Sequence, residues 1–570
     1  MDITNISIED WIKDEEAHLK SLEERDVWEK VPLINSNPIH EFNDGTLLRF
    51  RGMIQDMHGP EYYMVVFNII NEQTNEKTVK NSKYRDIIPD CAKGEQIDME
   101  NNTHLPEERH SYAVVSVPGV NSWVTHYESV KYKLETKSDH IESTSNQNKR
   151  TYNEAMETDA PTESNLVKKP VNTETATPKP ENSLSLSPEY ILNHPLGDSK
   201  GTVCHMKVYK ESENLKLNDV CEFVGFLSLG SVQCDEDDLE MQTHHPPTSL
   251  VPRIHVVHFK KMTHYNPLVD SELSGDVTNF VNIRKELLIV LTQLLLGDVL
   301  AAEYMICHLV SEIYLRKDYM ALGQFSLNIS NVPKLENFDY VKEVYKFLEL
   351  LVPKSHYLPL TLENMNTLEF IPKKDYESNR LNSGILQLSQ NTLLVLDETK
   401  LEEGKLDVAG VKSVKCLAQA IKNQKVSYDF NYYPLEYDCD IQFLIFSEGK
   451  SMLPSDVLLP LKPDDTCLNT FGEILEAANH FLKPELLNQI RIYLTRARLI
   501  QYEISDQVQN LVQQEFVNMR QNGNVTAQDL HGLLVLCRLI CISEGKQTLD
   551  PECWKRACEM EKERKARIPK

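Results

Sequence analysis

Hydrophobic and polar positions alternate in short runs along residues 1–133. The runs are GTLLRFRGMIQDM, EYYMVVFNII, SYAVVSVPGV and SWVTHY. Alternation, together with many β-branched and aromatic residues, is typical of β-strands. Turn signals at Asn43-Asp44-Gly45 and at Gly59-Pro60 separate or interrupt these runs. The pattern predicts an N-terminal β-rich domain over residues 1–133.

Residues 134–186 lack this hydrophobic periodicity. Ser, Thr, Asn, Glu, Lys and Pro dominate the segment, and Tyr152 is its one aromatic residue. Such a composition cannot bury enough apolar surface to offset the entropy lost on ordering. The sequence therefore predicts a disordered linker between two folded parts of the chain.

Strand-like and helical patterns return after the linker. GTVCHMKVYK, DVCEFVGFLSLG and RIHVVHF predict a second, OB-like β unit over residues 187–281. Over residues 282–465, helical runs alternate with strand-like runs: IRKELLIVLTQLLLGD, LAAEYMICHLVSEIYLRKD, QFSLNIS, NFDYVKEVYKFLELLVP, YLPLTLENM, LLVLDE and DIQFLIFS. Such alternation predicts an α/β domain with a mostly parallel sheet. Residues 466–570 have an almost entirely helical pattern, with a capping signal at Ser505-Asp506, and predict a helical domain.

Composition narrows the functional class. The 570 residues include 60 Lys and Arg against 86 Asp and Glu, for a net charge of −26. Sequence-independent binding to nucleic acid needs a dense basic face, so we expect a protein partner instead. The 12 cysteines show no CxxC spacing, which is typical of reduced thiols inside the cell. The most apolar stretch carries Asp298, Glu303, His308 and Glu312, so no membrane span and a soluble chain are expected.

An acidic strand end raises the question of ATP hydrolysis. The run TLLVLDET places Asp397 and Glu398 after an apolar strand, as in ATPases that bind Mg²⁺ there. The phosphate-loop pattern GxxxxGK[ST] occurs nowhere in the chain. The nearest match, Gly449-Lys450-Ser451, has Leu444 in place of the first glycine, and prolines rather than a helix follow. We therefore interpret the two acids as an exposed strand end or a local salt bridge rather than a magnesium site.

Other side chains give weaker signals of binding or modification. His244, His245, His255 and His258 match no zinc spacing, and Cys537 and Cys541 are spaced as on a buried helix face, so no metal is expected. The basic pairs Lys149-Arg150 and Lys168-Lys169 are either weak nuclear-import signals or simply solvated charges. Thr177 and Ser187, each followed by proline, are minimal phosphorylation sites.

Several segments closely resemble one known family, the MCM-binding proteins, which are related to the subunits of MCM replicative helicases. The segments are FRGMIQDMHGPEYYMVVF, KYRD, SLVPRIHV and LAAEYMICHL, followed by the strand, hairpin and strand of LLVLDET, QKVSYDFNYYPLEYD and DIQFLIFSEGK. The resemblance covers nearly the whole chain except the linker. It implies a degenerate AAA+-like α/β domain, with a Walker-B-like strand, a presensor hairpin and a sensor-1 strand, followed by a helical lid-like domain.

The same resemblance implies that the ATPase chemistry is lost. It places Gly297 and Asp298 at the start of the helicase P-loop. Glu303 then stands where the phosphate-binding Lys belongs, and Tyr304 replaces the Mg²⁺-binding Ser. A carboxylate at that position would repel a triphosphate. By this comparison Asp397 and Glu398 are vestigial Walker B residues, and no cofactor is expected.

The function that the resemblance implies is non-catalytic. Such a protein would bind MCM helicase subunits outside the usual hexamer and promote disassembly or unloading of the complex from chromatin. It would regulate DNA replication and cell division in the nucleus, with a link to sister chromatid cohesion. It would associate with chromatin through its partners, and direct DNA binding would be weak or absent. Two alternatives remain: a divergent AAA+ ATPase that uses Glu398, and an OB-type nucleic-acid-binding protein.

Overall fold

The structure is a computed structural model. It describes residues 6–71, 77–86, 95–97, 106–133, 187–197, 201–230, 239–269, 279–317, 320–503 and 526–568, with isolated positions between 513 and 521. The predicted linker, with Lys149, Arg150, Lys168, Lys169 and Thr177, lies outside the described residues. The capping signal at Ser505-Asp506 also lies outside them.

The described part of the chain combines β-sheets with α-helices. Its strands are β1 (Leu47–Met64), β2 (Val66–Asn71), β3 (Lys77–Asn81), β4 (Glu95–Ile97), β5 (Pro106–Val115), β6 (Val203–Val208), β7 (Val220–Ser228), β8 (Arg253–Lys261), β9 (Leu315–Lys317), β10 (Met320–Leu322), β11 (Leu327–Ser330), β12 (Ser355–Pro359), β13 (Lys373–Asp375), β14 (Arg380–Asn382), β15 (Thr392–Asp397), β16 (Lys425–Asp429), β17 (Pro434–Asp438), β18 (Ile441–Phe446) and β19 (Val457–Pro460).

The helices that the structure describes are distributed along the same ranges. They are α1 (Ile8–Lys13), α2 (Glu15–Glu23), α3 (Arg25–Lys30), α4 (Ser122–Tyr132), α5 (Pro188–Leu192), α6 (Leu239–His244), α7 (Phe280–Leu294), α8 (Val299–Leu309), α9 (Tyr340–Leu351), α10 (Leu362–Thr367), α11 (Val408–Asn423), α12 (Asp465–Asn469), α13 (Phe471–Phe481), α14 (Pro484–Arg498), α15 (Ala527–Ser543) and α16 (Pro551–Arg567). None of these described helices is long and apolar enough to cross a membrane.

Strands from both sides of the predicted linker form one closed barrel in the order β1-β5-β6-β8-β7. β1 pairs antiparallel with β5 and β7, and β6 pairs parallel with β8. The barrel core contains Phe50, Tyr112 and Phe223. The sequence placed these strands in two separate β units, and that division is wrong. β1 and β5 pair with each other, and their remaining edges pair with β7 and β6, which lie beyond the linker.

Two local predictions in the first β-rich region are also wrong. Gly59-Pro60 lies inside β1, where a register shift between Met57 and Pro60 absorbs the irregularity without a chain reversal. SWVTHY, predicted as a strand, begins α4, whose buried residues Val124 and Glu128 are spaced as on one helix face. A run of six residues fits both the strand period of two and the helix period of 3.6, so tertiary contacts decide which element forms.

The predicted parallel sheet is confirmed, with the order β12-β15-β18-β11-β19 and parallel pairing throughout. Alternate residues of β15 face two different cores. Leu393 and Val395 pack with α7, α8, α9 and the C-terminal helices, whereas Leu394 and Leu396 pack with α11 and β16. Because both faces are covered, the strand reads as an unbroken apolar run.

Element boundaries in the α/β region differ from the sequence prediction at two points. The helix predicted from Leu300 ends at Leu309, and Leu315–Lys317 forms β9 instead. The strand predicted in YLPLTLENM is short: β12 ends at Pro359, and Thr361 caps helix α10. The helical prediction for the C-terminal region is confirmed for α12–α16. Several of these helices share a core with the parallel sheet rather than forming a separate one.

The barrel is bonded directly to the α/β part. The Ser355 N–H donates to the Gly119 carbonyl at 2.8 Å, and the Asn121 N–H donates to the Pro353 carbonyl at 2.9 Å. A buried carboxylate oxygen of Asp56 on β1 accepts from the Leu381 N–H at 2.7 Å. The first two bonds join the segment after β5 to the start of β12, at the amino edge of the parallel sheet, and the third joins β1 to β14 of the sheet β14-β13-β16-β17.

Candidate functional site

The chain changes direction across the parallel sheet at β11. From β11 it passes to β12 at one edge, returns through β15 and β18, and then crosses to β19 beyond β11. Open α/β sheets bind ligands at the carboxyl ends of the strands where such a reversal occurs. Three segments meet this description: residues 331–339 after β11, residues 398–400 after β15 and residues 447–456 after β18.

Asp397 ends β15 and is fully buried, with 0% exposure. The Tyr357 hydroxyl on β12 donates to one carboxylate oxygen at 2.6 Å. The Thr399 N–H and hydroxyl donate to the other at 3.0 Å and 2.6 Å. Burial and the neighbouring carboxylate raise the pKa of Tyr357, so the phenol remains a donor. The prediction of an exposed strand end is therefore wrong for Asp397, whose charge is satisfied by neutral donors.

Glu398 lies half-buried beside the loop that follows β18. The Ser451 hydroxyl donates to its carboxylate at 2.9 Å, and burial raises the pKa of this carboxyl group. Ser451 belongs to the Gly449-Lys450-Ser451 sequence that resembles the end of a phosphate loop. β19 rather than a helix follows that sequence, as predicted.

The segment after β11 joins this strand of the sheet to helix α9. Residues 331–339 read NVPKLENFD and contain no glycine. The Val332 N–H donates to the Ser447 carbonyl at 3.1 Å, and Pro333 has no N–H to donate. A phosphate loop presents several backbone N–H groups and needs glycine for close approach. This segment contains no glycine, and neither Val332 nor Pro333 offers a free N–H, because that of Val332 is bonded to Ser447 and proline has none.

Charged side chains at this edge of the sheet form ion pairs with one another. The Lys334 ammonium lies 2.9 Å from Glu448, and the Lys400 ammonium lies 2.8 Å from Asp339. A cavity of about 250 Å³ lies between these pairs. Lys334 is 79% exposed, so its charge is largely hydrated rather than held over the cavity. The Ser447 hydroxyl points to Asn328 on β11 at 3.0 Å.

The P-loop assignment to Gly297–Tyr304 is wrong. A P-loop joins a strand to a helix, whereas Gly297 and Asp298 join α7 to α8, ahead of the first strand of the sheet. Gly297 has φ +84° and closes α7, with its N–H bonded to the Thr292 carbonyl at 2.8 Å. Asp298 caps α8 by accepting from the Ala301 N–H at 3.1 Å.

The acids of this segment bind helix α16. The Glu303 carboxylate, 6% exposed, pairs with Arg284 on α7 and Arg556 on α16. Burial opposes the charge of Arg284, but Glu303 outweighs it and raises the pKa of the guanidinium. Asp298 accepts from Arg567 at 2.6 Å, and the Tyr304 hydroxyl donates to Glu561 at 3.2 Å. These groups hold α16 against α8.

Two of the four histidines singled out in the sequence, His255 and His258, lie in different surroundings. His255 contacts the Tyr209 hydroxyl at 2.7 Å, whereas the His258 ring packs edge-on against Trp28. Within the described ranges, no group of three or more His, Cys, Asp or Glu side chains is placed to hold a metal ion. Cys537 and Cys541 are buried on α15, which confirms the predicted helix face.

Ser187 is the one predicted modification site that the structure describes. Its hydroxyl caps the short helix α5 by accepting from the Tyr190 N–H at 3.2 Å, and its side chain is exposed.

The sequence prediction missed two parts of the carboxyl edge of the parallel sheet, residues 331–339 and Tyr357. The sequence signal that could have located residues 331–339 was a predicted strand, QFSLNIS, followed by a short loop and a predicted helix. A search for glycine patterns cannot find a loop that has none.

These features define a mixed α/β protein with a five-stranded closed barrel and a parallel sheet whose carboxyl edge carries a buried aspartate and a half-buried glutamate. The sequence model of the family described as "Mini-chromosome maintenance replisome factor" matches residues 18–568. The "Mini-chromosome maintenance complex-binding protein" of Drosophila melanogaster is 40% identical over 564 residues, covering 95% of this chain and 93% of that protein. The proteins of that name from Gallus gallus and Homo sapiens are 39% and 37% identical, each covering 98% of this chain and 94% of its own length. The chain belongs to this family.

Proposed function

We propose that this chain is a non-catalytic protein that binds subunits of the MCM complex and thereby regulates DNA replication. Its relatives are named for binding that complex. The observation that carries the non-catalytic part is the segment after β11. It has no glycine, and the Val332 N–H is bonded to Ser447. A triphosphate there would find no N–H cradle.

We further propose that the two β-containing parts are degenerate versions of helicase domains. Numbered in chain order, the barrel strands run 1-2-3-5-4 and close on strand 1, which supports an OB-like barrel of five strands. The parallel sheet supports an AAA+-like domain, because Asp397 ends its apolar interior strand β15 and the β16–β17 hairpin lies between β15 and β18 in the chain. The C-terminal helices would then correspond to the lid.

A subunit-like shape without nucleotide chemistry accounts for the proposed action. A surface resembling an MCM subunit can occupy the face that a neighbouring subunit would use, and this competes with closure of the ring. Binding outside the hexamer would favour disassembly of the complex or its unloading from chromatin. On this proposal the protein acts in the nucleus, reaches chromatin through its partners, and links replication to sister chromatid cohesion.

Nucleotide binding tests the non-catalytic part. Isothermal titration of the full chain with Mg·ATP should give no saturable heat, and a purified MCM hexamer serves as the positive control. Saturable binding together with hydrolysis above background would instead support a divergent ATPase.

Competition for MCM subunits tests the binding part. The full chain, added to assembled MCM hexamer, should yield a smaller complex containing the chain and at least one MCM subunit, with or without ATP. Glu398→Gln should behave as wild type, as should the control Glu402→Gln on the exposed turn nearby. Association with the intact hexamer, with no subunit released, would contradict the disassembly proposal. Binding to single-stranded DNA without MCM would favour the OB-type alternative.

A further inference from the structure

A second cavity lies where the barrel meets the amino edge of the parallel sheet, opposite the edge that carries Asp397. It has a volume of about 270 Å³. Its walls come from the barrel loops at 218–220 and 261–265, the residues leading into β12 and β15, and the end of α14. At roughly 30 Å³ for each water molecule, such a cavity holds about nine waters. It is smaller than the roughly 300–1,000 Å³ pockets that take drug-sized ligands.

Lys354 lines this cavity immediately before β12. Its side chain is buried, with 5% exposure. The ammonium donates to the Ser389 hydroxyl at 2.8 Å and the Gln390 carbonyl at 2.5 Å, and it lies 6.0 Å from the centre of the Tyr265 ring. All of these partners are neutral. Across the residues that the structure describes, no carboxylate forms a salt bridge with this ammonium.

Arg498, at the end of α14, is the second buried cation of the cavity, with 9% exposure. One terminal nitrogen donates to the Leu309 carbonyl at 2.6 Å, but Nε has no hydrogen-bond partner among the described residues. The acids that act on it electrostatically have closer partners. Glu312 pairs with Arg538 at 3.4 Å. Asp440, which also acts on Lys354, accepts a hydrogen bond from the Ile313 N–H at 3.3 Å.

The remaining charges on the cavity wall neutralise each other. Lys261 and Asp219 form an ion pair with 2.6 Å between ammonium and carboxylate. Lys354 and Arg498 are therefore two buried cations on one polar cavity, and neither forms a salt bridge among the described residues. Asp440, the buried acid that acts electrostatically on both, lies beyond salt-bridge distance of each. A buried charge without an ion partner is unfavourable. Consistent with this, burial lowers the pKa of Lys354 to about 7.

We propose that this cavity binds a small oxyanion of the phosphate or sulfate class between Lys354 and Arg498. A guanidinium and an ammonium together offer several charge-assisted hydrogen bonds to the oxygens of such an ion. The bound ion would also connect the barrel loops to the sheet and to α14, because the cavity walls come from all three. This proposal rests on the two cations of the cavity and not on MCM binding, and the cavity lies at the sheet edge opposite to the one that carries Asp397.

The test is calorimetric titration of the full chain at a pH below 7, where Lys354 is protonated. Sodium sulfate and sodium phosphate should each bind at one site, whereas sodium chloride at equal ionic strength should not. Lys354→Met and Arg498→Met should each weaken binding about tenfold or more, the usual effect of losing a charge-assisted bond. The double variant Lys261→Met with Asp219→Asn removes the ion pair of the same wall without changing its net charge, so it should bind as wild type.

Three results would overturn the proposal. These are the absence of saturable oxyanion binding, an equal loss of affinity in the double variant of Lys261 and Asp219, and binding that survives in both Lys354→Met and Arg498→Met. If the variants do not fold, anomalous diffraction from wild-type crystals soaked in tungstate decides the matter. A peak between Lys354 and Arg498 supports the site, and peaks only elsewhere reject it. Glycerol phosphate separates two sources of the ion: weaker binding than phosphate assigns an inorganic ion, and tighter binding assigns a small phosphorylated metabolite.

Discussion

The hydroxyl of Tyr357 donates a 2.6 Å hydrogen bond to the buried carboxylate of Asp397 across the neighbouring strands β12 and β15. Together with Thr399, it supplies every donor that the structure records for this carboxylate. The acid at the end of the strand is therefore enclosed by the protein's own donors. We expect its main contribution to be to the stability of the sheet edge.

Removing this donor should destabilise the protein. Tyr357→Phe should lower the free energy of unfolding by about 1.5–3 kcal/mol, because a hydrogen bond to a charged group is lost inside the protein. Tyr345→Phe is the matched control, since Tyr345 bonds the neutral Ser355 hydroxyl at 3.1 Å and should lose about 0.5–1.5 kcal/mol. Urea denaturation measures both. Equal losses in the two variants would contradict the role given to Asp397.

Glu303 should behave as a structural acid. Glu303→Lys should cost about 3–5 kcal/mol, because it leaves the buried Arg284 without its partner and adds a third cation beside Arg556. The variant should show no magnesium-dependent ATP hydrolysis. Glu559→Gln, on the exposed side of α16, should change stability by less than about 0.5 kcal/mol. Thermal melts and a phosphate-release assay provide the measurements.

The buried amine of Lys354 should make stability depend on pH in a definite direction. Its pKa is lowered from the ordinary 10.5 to about 7, so between these values the unfolded chain binds a proton that the folded chain does not. Stability from this group therefore rises with pH across that window, by up to about 1.4 kcal/mol per pH unit. In chloride buffer, the free energy of unfolding of wild type relative to Lys354→Met should increase by about 2 kcal/mol from pH 7 to pH 9. A difference that stays constant with pH would contradict the assignment.

Two glycines should respond to alanine with opposite signs. At Gly225 in β7, an added Cβ would overlap the His255 carbonyl of β8, beside the register shift at Val224, so Gly225→Ala should destabilise the barrel by about 1–3 kcal/mol. At Gly532 in α15 the added Cβ meets nothing within 4 Å, and Gly532→Ala should stabilise by about 0.5–1 kcal/mol. Differential scanning calorimetry compares the two midpoints.

Some of the fold could be predicted because it depends on local sequence alone. TLLVLD and IQFLIF are apolar runs of strand length followed by polar residues, and both form central strands, β15 and β18. The spacing of α9 buries Tyr340, Val344, Phe347 and Leu351 on one face, so its helix was predictable. The lack of glycine in residues 331–339 is also a property of the sequence alone.

Strand order in the barrel and the partners of the buried acids depend on segments that are distant in the chain, so they follow from the folded structure. Whether β1 and β5 pair with each other alone or join β6–β8 in one barrel depends on edges that local periodicity does not specify. The roles of Glu303 and Asp397 depended in the same way on Arg284, Arg556 and Tyr357, which approach them only in the folded chain. The chemistry of each side chain and the period of each element are local properties that can be read from the order of residues. The partners of a buried charge were decided by packing, because only packing removes water and sets which donor replaces it.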